Sequence, residues 1–222
     1  MRALAPGILV VSCQAGPENP LYGPAGMALM AQAAAAGGAG AIRANGPDDI
    51  AAIRAVTDLP IIGIHKLGDP AGVFITPTYE AAAGAVAAGA DLVALDATLR
   101  PRPDGRPLAG QIDRIHAELG VPVMADVDTL DAGLAARDAG ADLVATTLSG
   151  YTNGRPAAGP DVELVRQLAA KLDCPIVAEG RIRTPADVRG VCDAGAYAVV
   201  VGHAITNPMD LTARLAGAIP LP

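Results

Sequence analysis

The sequence is poor in aromatic residues. Its 222 residues include no Trp, one Phe and four Tyr. Proteins that read single-stranded nucleic acid stack bases on aromatic platforms, and so few aromatics argue against one here. Positive charge is outweighed as well: 16 Lys and Arg stand against 23 Asp and Glu, a formal net charge of -7. That excludes a broad basic surface for nucleic acid. An anionic ligand has to be held by a local cluster of Arg and backbone N–H groups. The three Cys (Cys13, Cys174 and Cys192) show no CxxC spacing. They read as reduced thiols of a cytoplasmic protein. The Ala-rich segments are broken by Gly and charges before any reaches the length of a membrane span. The opening six residues are too short and too weakly apolar for a signal peptide.

What is present is a large apolar fraction, 51% against 18% charged. Such a chain buries a sizeable core, here one of Ala, Val, Leu and Ile. A repeating grammar runs through it. Ala-rich segments end in Gly, and an apolar run follows, as in Ala88-Gly89-Ala90-Asp91-Leu92-Val93 and Ala139-Gly140-Ala141-Asp142-Leu143-Val144. Gly just past a helix end accepts the left-handed conformation that stops the helix. Eight apolar runs result, at 8–14, 41–45, 61–66, 92–97, 121–127, 143–148, 176–180 and 198–202. Helical segments separate them, over 23–36, 45–58, 77–89, 108–119, 129–139, 160–172, 184–194 and 207–217. Strands alternating with helices imply a parallel sheet. Eight units of roughly 28 residues fit an α/β protein of the (β/α)8 TIM-barrel class, one domain over 1–222. An open doubly wound sheet normally carries G-x-G-x-x-G after its first strand; here that position reads Ser12-Cys13-Gln14-Ala15-Gly16-Pro17.

Barrels of this kind work at the C-terminal ends of their strands. Gln14, Arg43, Lys66, Asp96, Asp126, Thr147, Ser149, Glu179 and Gly202-His203 stand there, a ring of polar groups over an apolar barrel. Lys66 is singled out by scarcity: the chain has two Lys, Lys66 and Lys171, against fourteen Arg. In a two-residue period Ile62, Ile64 and Lys66 share one face. An amine held among strand ends near Arg43 has its pKa lowered by desolvation and like charge. It then serves as a base near neutral pH, or as a nucleophile that forms a Schiff base. The residues leave both uses open. Glu179, which closes the run Pro175-Ile176-Val177-Ala178, completes an acid/base pair or is a structural partner of Lys66. The loops after strands 7 and 8 form the usual phosphate site. Here they offer Gly180, Arg181, Gly202 and His203, with the two Gly letting backbone N–H groups approach an anion. His65, His116 and His203 share no metal-ligand spacing, and no metal or other cofactor is expected. The long loops at 96–105 and 146–154 are placed to cover the mouth; Arg100 and Arg102 read as solvated or as interface residues.

At these motifs the chain resembles the N-acetylmannosamine-6-phosphate 2-epimerase family. The resemblance is carried, in order, by Val11-Ser12-Cys13-Gln14-Ala15, Ile42-Arg43-Ala44-Asn45-Gly46, Ile75-Thr76-Pro77-Thr78 and Asp96-Ala97-Thr98-Leu99-Arg100-Pro101-Arg102-Pro103. Met124-Ala125-Asp126, Thr146-Thr147-Leu148-Ser149-Gly150-Tyr151-Thr152 and Val177-Ala178-Glu179-Gly180-Arg181-Ile182 continue it. It implies a (β/α)8 barrel, commonly dimeric, that inverts C2 of an amino-sugar phosphate without a metal. It gives Lys66 the C2 proton and has Glu179 assist proton transfer or ring opening. Gln14, Arg43 and Asp126 position the sugar and its N-acetyl group. Departures cluster at the phosphate end: Leu67 where the family shows Arg, His203 where it shows Gly, and Asn207 where it shows a phosphate-holding Arg. A ligand-binding barrel without catalysis and a Schiff-base lyase or isomerase are the competing readings.

Overall fold

The computed structural model describes residues 3–152 and 158–220; the last two residues of the expected loop at 146–154 lie outside them. Its strands are β1 (Leu9–Cys13), β2 (Ala41–Asn45), β3 (Ile61–Ile64), β4 (Leu92–Asp96), β5 (Val123–Asp126), β6 (Leu143–Ala145), β7 (Ile176–Glu179) and β8 (Ala198–Val201). Neighbours pair in parallel in sequence order, and β8 returns to β1 to close the barrel. The helices are α1 (Pro24–Ala36), α2 (Pro47–Arg54), α3 (Tyr79–Ala87), α4 (Leu108–Arg114), α5 (Leu130–Asp138), α6 (Val162–Lys171), α7 (Pro185–Asp193), α8 (His203–Thr206) and α9 (Pro208–Ala216). This is the (β/α)8 architecture that the alternation predicts. Among the described residues no helix is long and apolar enough to cross a membrane.

Local chemistry sets the boundaries. Thr78, Thr129, Asp161 and Thr184 cap α3, α5, α6 and α7 with side-chain oxygens, satisfying N–H groups that a helix start leaves unpaired. Gly89, Gly140 and Gly195 follow α3, α5 and α7 with φ between +98° and +111°, as the repeated Ala-Gly-Ala predicts. The Asp after two of these glycines has a task. Asp91 accepts a hydrogen bond from Ile61 N, and Asp142 from Val123 N, each tying the foot of a strand to its neighbour. Two expectations change in detail. The helix expected over 108–119 is α4 followed by a π-helical turn, Ile115–Leu119, that Gly120 ends in a left-handed conformation. The helix expected over 207–217 is preceded by the separate four-residue α8, the break falling at Asn207-Pro208.

Alternation along the strands sorts the core. Val10, Ala41, Ile62, Ile64, Ala94, Met124, Ala145, Val177 and Val200 pack together inside the barrel. Ile42, Ala44 and Ile61 face α1 and α2, beside Ile50 and Ile53. The same period turns Arg43, Asp126 and Glu179 inward, one step beyond Ala41, Met124 and Val177. The small Ala41, Ala94 and Ala145 leave room there for a guanidinium.

Gly63 shows how tightly β3 is held. A Cβ at this position would meet Ala90 Cβ at 2.5 Å and Ala85 Cβ at 3.1 Å. Neither methyl can swing aside. Gly63→Ala is expected to lower stability by about 1–3 kcal/mol through overpacking, read as a lower urea midpoint at unchanged slope.

Candidate active site

A cavity of about 690 Å³ opens at the C-terminal ends of the strands. Gln14, Lys66, Thr147, Glu179, Gly180, Arg181, Gly202 and His203 all line it. Eight of the eleven residues singled out from sequence therefore converge on one space. The other three do not line it. Arg43 and Asp126 lie beneath the floor, 1% and 0% exposed. Ser149, expected at the substrate, is buried and donates to Asp161 Oδ2 at 2.6 Å; it braces the entry to α6 instead.

The floor is built around one cation. Arg43 Nη2 meets Asp126 Oδ2 at 2.6 Å, and Nη1 meets Asp126 Oδ1 at 3.0 Å. Nη1 also meets Glu179 Oε2 at 2.6 Å. Thr147 Oγ1 lies between the two acids, 2.7 Å from Asp126 Oδ1 and 3.0 Å from Glu179 Oε2. Burial works against the Arg43 charge, but Asp126 and Glu179 outweigh it and raise the Arg43 pKa further. Glu179 is pushed the other way from an ordinary ion-paired acid. Burial raises its pKa, and Asp126 adds to the rise against the opposing pull of Arg43.

Lys66 stands above this floor. The residue is exposed to solvent at the mouth, yet the protein packed around its amine partly desolvates it. Burial is the main cause that lowers its pKa, and Arg43 adds to it against the pull of Glu179 and Asp126. Among the described residues the amine makes no ion pair. Among those residues the lysine is therefore not half of a structural salt bridge with Glu179. Beside it, Gln14 donates to Ser12 Oγ at 2.7 Å, while its buried Oε1 has no partner among the described residues.

At the far wall, Gly180 has φ +110° and Arg181 φ +56°. The Arg181 guanidinium is held by the carbonyls of Gly159 and Ser149 and lies over the Tyr151 ring. Asn207 accepts from Asp210 N as the cap of α9 and from Asn19 Nδ2. Arg183 and Arg214, which sequence reasoning missed, also line the cavity and make no ion pair among the described residues. Ser12 was missed too, although it alternates inward after Val10. Nothing local marked Arg214 or Phe74, which also lines the cavity; they arrive on a helix and a loop from elsewhere. The loop arginines are not solvated as expected. Arg100 pairs with Asp96 at 2.6 Å, and Arg102 holds the carbonyls of Asp96 and Pro77. Cys13 faces α1, away from the cavity, and burial pushes its thiol up to about 12. The acids Asp96, Asp126 and Glu179, whose oxygens are of the kind that holds a divalent cation, are each paired with an arginine.

Arg43→Met leaves two carboxylates at the floor without their cation. Stability at neutral pH should fall by about 3–5 kcal/mol. Without Arg43 the Glu179 pKa rises further above its unfolded value, so the folded state binds more protons than the unfolded one. The deficit should therefore shrink as pH falls through that pKa. Urea titrations at pH 5 and pH 8 check this; equal deficits at both would contradict it.

Known proteins resemble this chain in sequence and fold. A family model described as "Putative N-acetylmannosamine-6-phosphate epimerase" matches residues 27–220. A relative from Cutibacterium acnes, named "Putative N-acetylmannosamine-6-phosphate 2-epimerase", is 53% identical over 209 residues, 93% of this chain and 91% of its own. One of the same name from Caldanaerobacter subterraneus is 48% identical, over 93% of this chain and 88% of its own. Among solved structures, the N-acetylmannosamine-6-phosphate 2-epimerase from Clostridium perfringens superposes with a TM-score of 0.92 at 42% identity, covering 97% of this chain and 94% of that one. A thiamine phosphate pyrophosphorylase from Pyrococcus furiosus, at TM-score 0.63 and 20% identity, shares the barrel alone. With its fold, its cavity and this degree of likeness, the chain belongs to the N-acetylmannosamine-6-phosphate epimerase family.

Proposed function

We propose that the chain, as one catalytic barrel over 1–222, interconverts N-acetylmannosamine 6-phosphate and its C2 epimer, N-acetylglucosamine 6-phosphate. The observation that carries this is the Lys66 amine in the cavity, without an ion pair among the described residues and with its pKa lowered by burial and then by Arg43. A proton on the carbon next to an aldehyde is removable by a neutral amine once nearby donors stabilise the enolate oxygen. Lys66 takes the C2 proton and returns it to the opposite face. Glu179, whose pKa burial raises, serves the opening of the sugar ring. Arg43, Asp126 and Thr147 fix Glu179 from below. The unpartnered Gln14 Oε1 suits the N–H of the acetamido group. At the far wall the Gly180 and Gly202 turns and Arg181 frame the phosphate. His203, Arg183 and Arg214 supply donors in place of the family arginine at Asn207, whose side chain is already engaged.

In deuterated water, the protein given N-acetylmannosamine 6-phosphate should exchange hydrogen for deuterium at C2 and form the epimer, as followed by NMR. Lys66→Met should reduce exchange by about 10⁴-fold, the upper range for loss of an acid/base group. Because Lys66 has to be neutral to act, the rate should rise with pH through its pKa and level off below the ordinary lysine range. No exchange at high enzyme concentration overturns the reading.

We also take the enzyme to be a cytoplasmic homodimer. Its thiols are free, which suits a reducing compartment. Helix α9 buries none of its residues, and Leu215 is 67% exposed; an apolar helix face of this kind fits a second copy. Sedimentation at micromolar concentration should give the mass of two chains, and the mass of one chain would count against it.

A further inference from the structure

Lys66 lies outside the regular strands. Strand β3 leaves the barrel at Ile64, and the chain runs out and back as a hairpin. Lys66 pairs antiparallel with Ile75. Leu67 N donates to Phe74 O, and Thr76 N to His65 O, each at 2.9 Å. Pairing of β3 with β4 stops at Gly63 and Val93. Above that point the return arm takes the place of β3. Asp96 N donates to Ile75 O at 2.9 Å, and Thr76 Oγ1 donates to Ala94 O at 2.6 Å.

The Thr76 hydroxyl closes this seam. Besides donating to β4 it accepts from His65 N at 3.1 Å. One oxygen therefore ties the residue just before Lys66 to the neighbouring strand. On the other flank, Lys66 N donates to Asn45 Oδ1 at 2.9 Å, at the end of β2. Thr76 is fully buried and has φ +47°, a left-handed conformation that a β-branched residue rarely adopts. Its carbonyl accepts from Gln111 Nε2 at 3.1 Å. Strain of this kind persists only where surrounding bonds over-determine it, and it gathers at working sites. The hairpin tip is held as well, by Arg100 Nη1 on Ala71 O at 2.9 Å.

We propose that Thr76 is a positioning residue for the C2 proton transfer: its hydroxyl fixes the exit of β3 and so the direction in which Lys66 enters the cavity. The proposal rests on Lys66 being the acid/base. A lysine has enough rotatable bonds to reach the cavity from many backbone positions. Only a fixed exit keeps its amine over Arg43, Glu179 and Asp126, the charged groups that face it. A misplacement of about 1 Å is enough to cost roughly 10²-fold in rate.

The test compares wild type, Lys66→Met, Thr76→Ser, Thr76→Val and Thr76→Gly by C2 exchange, steady-state kinetics and pH profile. Exchange by wild type that is lost in Lys66→Met establishes the acid/base reading; exchange that persists in Lys66→Met overturns that reading and this proposal with it. Given the first result, Thr76→Val should lose about 10²-fold in kcat with KM within about twofold. Thr76→Ser, which keeps the hydroxyl, should stay within about threefold of wild type. The rising limb of the Thr76→Val pH profile should move upward as the amine is freed towards solvent. Thr76→Gly accepts the left-handed backbone without strain and decides the matter if the Val variant does not fold; it should show the same kcat loss. A kcat within about threefold of wild type in Thr76→Val or Thr76→Gly overturns the proposal, as does an equal loss in Thr76→Ser.

Discussion

The contact between the Arg43 guanidinium and the carboxylates of Asp126 and Glu179 is what the upper half of the barrel is arranged around. A buried cation is costly unless it is paired and hydrogen-bonded. Here both Nη atoms are taken, by acids from β5 and β7, and Thr147 from the turn after β6 completes the set. Side chains from β2, β5 and β7 and from the β6 turn are thereby locked to one another across the barrel axis. The same charge then acts upward. It disfavours a proton on Lys66, while the burial that makes the network possible favours a proton on Glu179. The geometry that closes the floor thus sets the carboxyl within it and the amine above it at opposite departures from their ordinary values.

Most of this was legible because barrels write their architecture in short periods. Period-two alternation told which residues of β2, β5 and β7 look inward. The Gly after each Ala-rich segment told where helices stop. The scarcity of lysine pointed to Lys66 before any geometry was known. The failures share a physical cause, which is contact between residues far apart in sequence. Ser149 looked like a strand-end polar group because its partner, Asp161, belongs to the next helix. Arg100 and Arg102 looked solvated because the carbonyls they hold lie on the β3 hairpin and before α3. Arg214 was invisible because only the placement of α9 brings it to the cavity.

The placement of Lys66 belongs with these non-local effects. A strand continuing from Ile61 to Lys66 was the simplest reading of the apolar run. The barrel stops that strand two residues early and lets a returning segment pair with β4 instead. Side-chain facing survives the change, since Lys66 still lines the space above Ile62 and Ile64. What changes is the mechanical setting of the lysine. It is carried on a hairpin stapled to both adjacent strands, so its backbone is defined by three neighbours rather than by one ladder.

Asn207 carries a consequence for how this lineage could change. Its side chain starts α9 and reaches Asn19 in the loop after β1. Placing a guanidinium there would remove the cap and the bridge together. The identity of residue 207 and the anchorage of the last helix are therefore coupled through one codon. A drift towards arginine would first have to find another way to fasten α9. Until then, selection for a firmer hold on a charged substrate would act more readily on Arg183, His203 or Arg214, none of whose side chains caps a helix.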